Sequence, residues 1–183
     1  MIGIIIIPMR KTTIVLVALL VLAAAALGIY VRGGISVEPT IFDPLNADYD
    51  LDGMQVTLVN GKSEVPIGED MASTINTRAF REPFFGDLTG DGRNDAGLFI
   101  YQDPGGTGTF FYVAAAIDDK GKTITTKAVL LGDRIAPQSI VVINNEMIVS
   151  YMVREEGEPF TATPSVMIER RFIIENNDLK EVL

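Results

Sequence analysis

The sequence predicts an all-β fold, an antiparallel strand meander forming a sandwich, a small barrel or one large twisted sheet, with an N-terminal transmembrane helix. Turn signals recur every ten to fifteen residues in the C-terminal part of the chain, and apolar and polar residues alternate between them. No amphipathic helical pattern is present after residue 35. The three β architectures share these features, so the strand pattern does not distinguish them.

The charge balance and the missing residue types exclude several classes of function. The chain has 183 residues, and the part after Arg32 carries 12 basic and 24 acidic residues, a net charge of −12. Such a surface repels the phosphates of nucleic acids, which excludes that partner class. The chain contains no Cys and no His. Disulfides, thiolate chemistry, the usual zinc ligands and every Ser-His or Cys-His arrangement are therefore excluded.

Residues 1–34 form a predicted membrane anchor. Residues 14–31 are an uncharged run of 18 residues, which as a helix spans about 27 Å and so inserts in the lipid bilayer. Arg10 and Lys11 precede the run, so the positive-inside rule predicts a single-pass protein with its C-terminal domain outside the cell membrane. A cleaved signal peptide is the alternative, because the alanines from Ala24 suit a peptidase. The length of the run favours a retained anchor.

A linker and the first strands follow the anchor. Residues 35–48 are predicted as a linker, because Gly and Pro interrupt every periodic pattern there, and residues 49–183 form the extracytoplasmic domain. Alternation in residues 54–59 and the Asn60-Gly61 turn predict a first hairpin, with Val65 on its return strand. The remaining predicted strands cover residues 74–85, 96–102, 109–117, 123–131, 139–143, 147–153, 166–174 and 179–183.

Two asparagine pairs predict the last two hairpins. Asn144-Asn145 and Asn176-Asn177 each lie between two of these strands, as expected for tight turns. Alternate residues from Met147 to Val153 are predicted to share one face of their strand.

The most informative stretch is a loop with three aspartates around a glycine turn, followed at once by an apolar strand. A calcium cage of this size requires carboxylates at alternate positions, a Gly at the sharp reversal and a backbone carbonyl. Three clustered carboxylates repel one another without a cation. An ordinary hairpin turn with solvated acids is the alternative. The candidate metal ligands are Asp87, Thr89, Asp91, the carbonyl of Arg93, and Asp95, at positions 1, 3, 5, 7 and 9, with Gly92 at position 6.

The stretch from Gly86 to Ile100 resembles the calcium loops of FG-GAP (integrin-type β-propeller) repeats, in which a D-x-[DN]-x-DG-x-x-D loop runs straight into a strand. The resemblance implies Ca2+ as the bound ion. It departs from the family at Thr89, where Asn or Asp is usual. The loop is not an EF-hand, because Leu98 occupies position 12, where a bidentate Glu is required. The chain carries one copy of the loop, so the propeller fold is not implied.

A wider arrangement of segments resembles a set of small, uncharacterised exported bacterial proteins with an N-terminal anchor. This resemblance extends over about residues 49–183 and implies an exported, anchored protein without implying any activity. The segments that carry it, in chain order, are residues 56–61, 86–92, 106–113, 130–137 and 157–159.

Three other groups of residues have structural interpretations that compete with functional ones. The glycine-rich segment 105–108 lacks the helix and the Lys-Ser/Thr of a phosphate loop, so it is predicted as a hairpin tip. Arg134 and Arg154 are candidates for anion binding, with pairing to a nearby carboxylate favoured. The Phe pairs that begin at Phe84 and Phe110 are predicted to pack in the core rather than to form a binding platform.

These observations favour a membrane-anchored extracytoplasmic β-domain protein with a structural calcium loop, which acts as a binding or envelope-structural module. Its expected partner is an extracytoplasmic protein or glycan. A carboxylate-based, glycan-active hydrolase is a less favoured alternative, since no catalytic motif is present and Trp is absent. A protein-docking subunit or inhibitor that uses an exposed strand edge is the third hypothesis.

Overall fold

The computed structural model describes residues 41–68 and 73–182. This part of the chain is all-β and contains no helix, so none of its elements has the length and apolarity of a bilayer-spanning helix. The predicted transmembrane run, residues 14–31, lies outside the described residues. The strands are β1 (Asp48–Leu51), β2 (Met54–Thr57), β3 (Lys62–Pro66), β4 (Thr74–Ala79), β5 (Phe84–Gly86), β6 (Asp95–Asp103), β7 (Phe110–Asp119), β8 (Lys122–Thr125), β9 (Lys127–Asp133), β10 (Ala136–Ile143), β11 (Glu146–Val153), β12 (Val166–Glu175) and β13 (Asp178–Val182).

Nine of these strands form a barrel-like sheet that is nearly closed. Its order is β2-β1-β9-β7-β6-β4-β3, with β5 also paired to β6 and β8 to β7. The two ends of this order meet at the Asn60-Gly61 turn, where Val59 N donates a 2.8 Å hydrogen bond to the carbonyl of Lys62. The pairings are antiparallel except for β1 with β9, the parallel pair within the described strands.

The other four strands form an antiparallel sheet in the order β10-β11-β12-β13. Asn144 and Asn145 turn the chain between β10 and β11 with φ values of 52° and 63°. Asn176 and Asn177 do the same between β12 and β13 with φ values of 54° and 60°. Asn adopts this left-handed conformation more readily than most residues. Both predicted asparagine hairpins are therefore confirmed.

The strands β6 and β7 are buried on both faces, because each contributes to two cores. Ala96, Leu98 and Ile100 of β6 pack inside the barrel with Tyr49 and Val56 and other apolar residues. The opposite face of β6 and β7, which points out of the barrel, packs against the four-stranded sheet. This second core consists of Leu88, Phe99, Phe111, Val113, Ala115, Leu131, Ile135, Ile140, Met147, Val149, Tyr151 and Phe172. Burial on both faces explains why these strands are continuous apolar runs in the sequence.

Alternation in β11 is confirmed, since Met147 and Val149 are fully buried and Tyr151 is nearly so, while Val153 packs against the same core. At 25 cal/mol per Å2 of buried apolar surface, each such side chain contributes about 1.5–3 kcal/mol of transfer free energy. This face therefore holds the four-stranded sheet against the outside of the barrel.

The N-terminal hairpin differs from the prediction. The Asn60-Gly61 turn forms, but β2 pairs with β1 and β3 pairs with β4, so the expected two-stranded ladder is limited to a single bridge beside the turn. The strand β1 was not predicted, and the Asp52-Gly53 turn that joins it to β2 was missed. Leu45 packs against the barrel core, so part of the predicted linker, residues 35–48, belongs to the domain.

Two long predicted strands are interrupted. The stretch 74–85 divides into β4 and β5, because Arg81 adopts a left-handed conformation with φ of 71°. The stretch 123–131 divides into β8 and β9 at Thr126, whose hydroxyl accepts a 3.0 Å hydrogen bond from the amide of Ala115. The two halves of each stretch keep a common partner, since β4 and β5 both pair with β6, and β8 and β9 both pair with β7.

Candidate metal centre

The aspartate loop joins β5 to β6 at one end of the barrel. Gly86 and Asp95 are direct partners at the base of this hairpin. Gly90 and Gly92 have positive φ values of 78° and 84°, which residues with a Cβ rarely adopt. The two glycines therefore allow the tight double reversal that folds the loop back on itself.

Asp87 is the residue around which the loop turns. Its Oδ1 accepts hydrogen bonds from the amides of Gly90 at 2.6 Å and Asp91 at 3.2 Å, and its Oδ2 accepts one from Gly92 at 2.9 Å. The pKa of Asp87 is lowered by these amides, with Gly92 the largest cause, because they stabilise the ionised carboxylate. The first, fourth, fifth and sixth positions of the loop are thereby fixed relative to one another.

Asp95 attaches the loop to the barrel. Its side chain is fully buried. Oδ2 accepts amide hydrogen bonds from Leu88 at 2.9 Å and Thr89 at 3.1 Å, and Oδ1 accepts one from Asp118 of β7 at 2.9 Å. A buried carboxylate without such donors is costly, and three amides offset that cost. Asp95 therefore ties the start of the loop to β7.

Asp91 is held by Arg93. Its Oδ1 accepts the main-chain amide of Arg93 at 2.9 Å, and its Oδ2 forms an ion pair with the guanidinium of the same residue. The Nε of Arg93 donates to the main-chain carbonyl of Asp118 at 2.8 Å. The guanidinium therefore bridges the outer part of the loop and the end of β7.

Asn145 connects the loop to the four-stranded sheet. Its side-chain amide donates a 3.0 Å hydrogen bond to the main-chain carbonyl of Asp87. A Cβ added at Gly90 would lie 3.4 Å from Oδ1 of Asn145, so the two segments are in close contact. The sequence predicted Asn145 only as a turn residue, because nothing in a local pattern shows which distant loop a turn will touch.

The predicted ligands are gathered in one loop. Among the described residues, no three acidic side chains are close enough together to hold a metal ion. The oxygen-only donor set suits calcium chemically. An ionised carboxylate has about four acceptor sites, and Asp87 and Asp95 each use three of them on amides. An ion that took Asp91 as a ligand would compete with the guanidinium of Arg93 for Oδ2.

The other candidate residues have structural roles. Segment 105–108 lies in the loop between β6 and β7, as the hairpin-tip prediction requires. Arg134 pairs with Asp133 at 2.8 Å, which confirms the ion-pair interpretation and lowers the pKa of Asp133. Arg154 donates instead to the main-chain carbonyls of Ala162 at 2.6 Å and Arg134 at 2.8 Å.

The paired phenylalanines are divided between core and surface. Phe99 contacts Phe84 edge-on with ring centroids 6.1 Å apart, and Phe111 is buried in the core between the sheets. Phe110 packs at the margin of the barrel core. Phe85 is 58% exposed, contrary to the prediction of core packing for all four.

No known protein family, no curated protein sequence and no solved structure shows significant similarity to this chain.

Proposed function

We propose that this chain is a membrane-anchored, extracytoplasmic β-domain protein whose loop 87–95 binds a calcium ion that stabilises the domain. Its role is that of a binding or envelope-structural module, with an extracytoplasmic protein or glycan as partner. The observation that carries the proposal is the arrangement of Asp87, whose carboxylate organises the loop through the amides of Gly90, Asp91 and Gly92. The order of acids, Gly and following strand resembles that of FG-GAP calcium loops.

In this proposal, calcium binds to the outer part of the loop, residues 87–93. Asp87 and Asp91 both retain unused acceptor capacity, and Oδ2 of Asp91 becomes fully available when Arg93 moves away from it. The hydroxyl of Thr89 and the carbonyl of Arg93 add neutral oxygens, and water completes the six to eight ligands that calcium prefers. Asp95 remains bound to its amides and holds the base of the loop in position.

The proposed location rests on the sequence of the first 34 residues. The uncharged run 14–31 has the length of a bilayer-spanning helix, and Arg10 and Lys11 precede it. The excess of 12 acidic charges after Arg32 suits a soluble domain in an environment that contains divalent cations. Retention in the membrane fraction after an alkaline carbonate wash, with the C-terminal domain accessible to added protease, is the expected result. Loss of the protein to the soluble fraction would contradict a retained anchor.

Thermal unfolding of the full-length chain in mild detergent tests the calcium loop. Exported modules bind calcium with Kd values of about 0.1–1 mM, and at ten times Kd one bound ion adds about 1.4 kcal/mol of stability. This corresponds to a rise in Tm of roughly 4 °C. Magnesium at the same concentration serves as the control for ionic strength.

Two variants make this test specific. Asp91→Asn removes a proposed ligand charge, and it should abolish the calcium-dependent rise in Tm. Glu156→Gln removes one charge from an exposed loop elsewhere and should leave that rise unchanged. A wild-type Tm that is the same in calcium, in magnesium and in chelator would overturn the proposal.

A further inference from the structure

A surface cavity of about 220 Å3 lies where the Asn60-Gly61 turn meets the end of β4. It is smaller than the pockets of about 300–1,000 Å3 that enclose drug-sized ligands, so it suits a small chemical group. Its charged lining residues are Lys62, Arg78, Arg81 and Glu82. None of them belongs to the aspartate loop.

The lining of this cavity is basic although the domain is acidic. Three of the 12 Lys and Arg residues that follow the apolar run line it, compared with one of the 24 acidic residues. Arg78 pairs with Glu64 at 3.1 Å. In the described part of the chain, no carboxylate lies within ion-pair distance of Lys62 or Arg81. The cavity therefore concentrates positive charge that the described residues do not fully neutralise.

Two of these cations are placed against each other by the sheet. Lys62 of β3 and Arg78 of β4 are direct antiparallel partners. Side chains at such positions have Cβ atoms about 4.5–5.5 Å apart, and like charges there destabilise the strand pair. The Arg78–Glu64 pair is exposed, at 38% and 59%, so solvent weakens its compensating effect. A bound anion would relieve the remaining repulsion.

The third cation belongs to Arg81, which follows β4 in a left-handed backbone conformation. Arg81 has a φ of 71°, a conformation that is uncommon for residues other than Gly, Asn and Asp. Its guanidinium lies over the ring of Phe80 at 5.2 Å, and Nη1 donates to the carbonyl of Gln138 at 3.3 Å. That bond uses one of the five N–H donors of an arginine. Arg81 is therefore a lining residue of the cavity with four N–H donors not used in that bond.

We infer that this cavity binds a phosphate group. A guanidinium offers paired donors to phosphate oxygens and an ammonium adds a point charge, so Arg81 and Lys62 together match a small dianion. Glu82 also lines the cavity, so a compact group that binds against the basic side chains is favoured. The site is separate from the aspartate loop, and the inference does not depend on calcium binding.

Isothermal titration of the full-length chain in calcium-free buffer tests this inference. Inorganic phosphate and glycerol phosphate are the two probes, and they distinguish a free phosphate from a phosphate ester. Saturable millimolar binding of either probe to the wild type is expected. The Lys62→Gln/Arg81→Asn double variant should bind at least tenfold more weakly, and Asn is chosen because it tolerates a positive φ.

Lys122→Gln/Arg171→Gln is the matched control, since it removes the same charges from β8 and β12 and should bind as the wild type does. Far-UV circular dichroism checks the fold of each variant. If the double variant is unfolded, Lys62→Gln alone should weaken binding at least threefold. Absence of saturable binding to the wild type, or equal binding by all the variants, would overturn the inference.

Discussion

The side-chain amide of Asn145 donates a 3.0 Å hydrogen bond to the main-chain carbonyl of Asp87. Asn145 lies in the turn between β10 and β11, and Asp87 opens the loop between β5 and β6. The bond therefore joins the four-stranded sheet to the barrel at the candidate metal centre.

Replacing Asn145 with Gly is expected to lower the free energy of unfolding by about 1 kcal/mol, the usual net value of one hydrogen bond. Gly accepts the φ of 63° without strain, so the lost bond is the main change. Asn144→Gly is the matched control, because Asn144 has a φ of 52° in the same turn. Urea unfolding of both variants makes the comparison. Equal losses in the two variants would show that the bond to Asp87 contributes nothing.

Replacing Arg93 with Gln is expected to tighten calcium binding about two- to fivefold, because exposed ion pairs such as Arg93–Asp91 are worth roughly 0.4–1 kcal/mol. Without calcium the same variant should melt below the wild type, since Asp91 loses its cation. Calcium titrations followed by Tm measure both effects. Arg171→Gln, which removes an arginine and its ion pair with Glu169 from the other sheet, should leave calcium binding unchanged. Weaker calcium binding by Arg93→Gln would contradict competition between the guanidinium and the ion.

Lowering the pH is expected to destabilise the loop through protonation of Asp87. The folded-state pKa of Asp87 is below its usual value of 3.8, mainly because the Gly92 amide stabilises the ionised form. A lowered pKa contributes stability that is present above the unfolded value and is lost as pH falls through the folded value. In Asp87→Asn the side-chain nitrogen cannot accept the hydrogen bond from Gly92, and the side chain no longer titrates. The stability of this variant should therefore fall less than that of the wild type below about pH 4.

Chemical denaturation from pH 7 to pH 2 measures this difference. Glu156→Gln is the control and should follow the wild-type curve at low pH. Parallel pH curves for Asp87→Asn and the wild type would show that Asp87 is not a source of acid sensitivity.

Gly97 lies at a close approach of β6 to the four-stranded sheet. A Cβ there would lie 2.8 Å from Sδ of Met147 and 2.9 Å from Cγ2 of Ile140. Gly97→Ala is therefore expected to cost about 1–3 kcal/mol by overpacking. Gly106→Ala is the control, since a Cβ at Gly106 meets no atom within 4 Å among the described residues. Guanidinium unfolding gives both values, and a stability of Gly97→Ala equal to that of the control would exclude tight packing at this position.

Much of the all-β architecture was predictable, because short-range chemistry determines it. The Asn144-Asn145 and Asn176-Asn177 turns require only residues that accept a positive φ. Alternation from Met147 to Val153 requires only one buried face. The strand β1 was missed because two of its four residues are Asp, which is depleted in strands, although Tyr49 and Leu51 alternate with them and are both buried inside the barrel.

Strand pairing was less predictable than strand position. The Asn60-Gly61 turn suggested that its two flanking strands pair with each other, but β2 and β3 lie at opposite ends of the sheet order. Their partners come from residues far along the chain, as in the pairing of Leu51 with Ala128. No local pattern specifies such contacts, so the choice between barrel and sandwich depended on tertiary structure.

The candidate site shows a similar division. The sequence placed Asp87, Asp91 and Asp95 in one loop, and the structure shows them there. Spacing alone did not reveal that Asp95 is buried and accepts amides from Leu88 and Asp118. An Asp that accepts hydrogen bonds from amides and an Asp that binds an ion are the same residue in a sequence, so the pattern does not distinguish them. Calcium binding therefore stays a prediction.

Because β6 and β7 contribute to both cores, their burial depends on the order in which the chain is synthesised. Both strands leave the ribosome before residues 136–182, which supply the sheet that covers Phe99 and Val113. Until residues 136–182 have been synthesised, the nascent hairpin has one apolar face without its cover, and such a surface promotes aggregation. A chain truncated after β9 should consequently depend on chaperones throughout its lifetime.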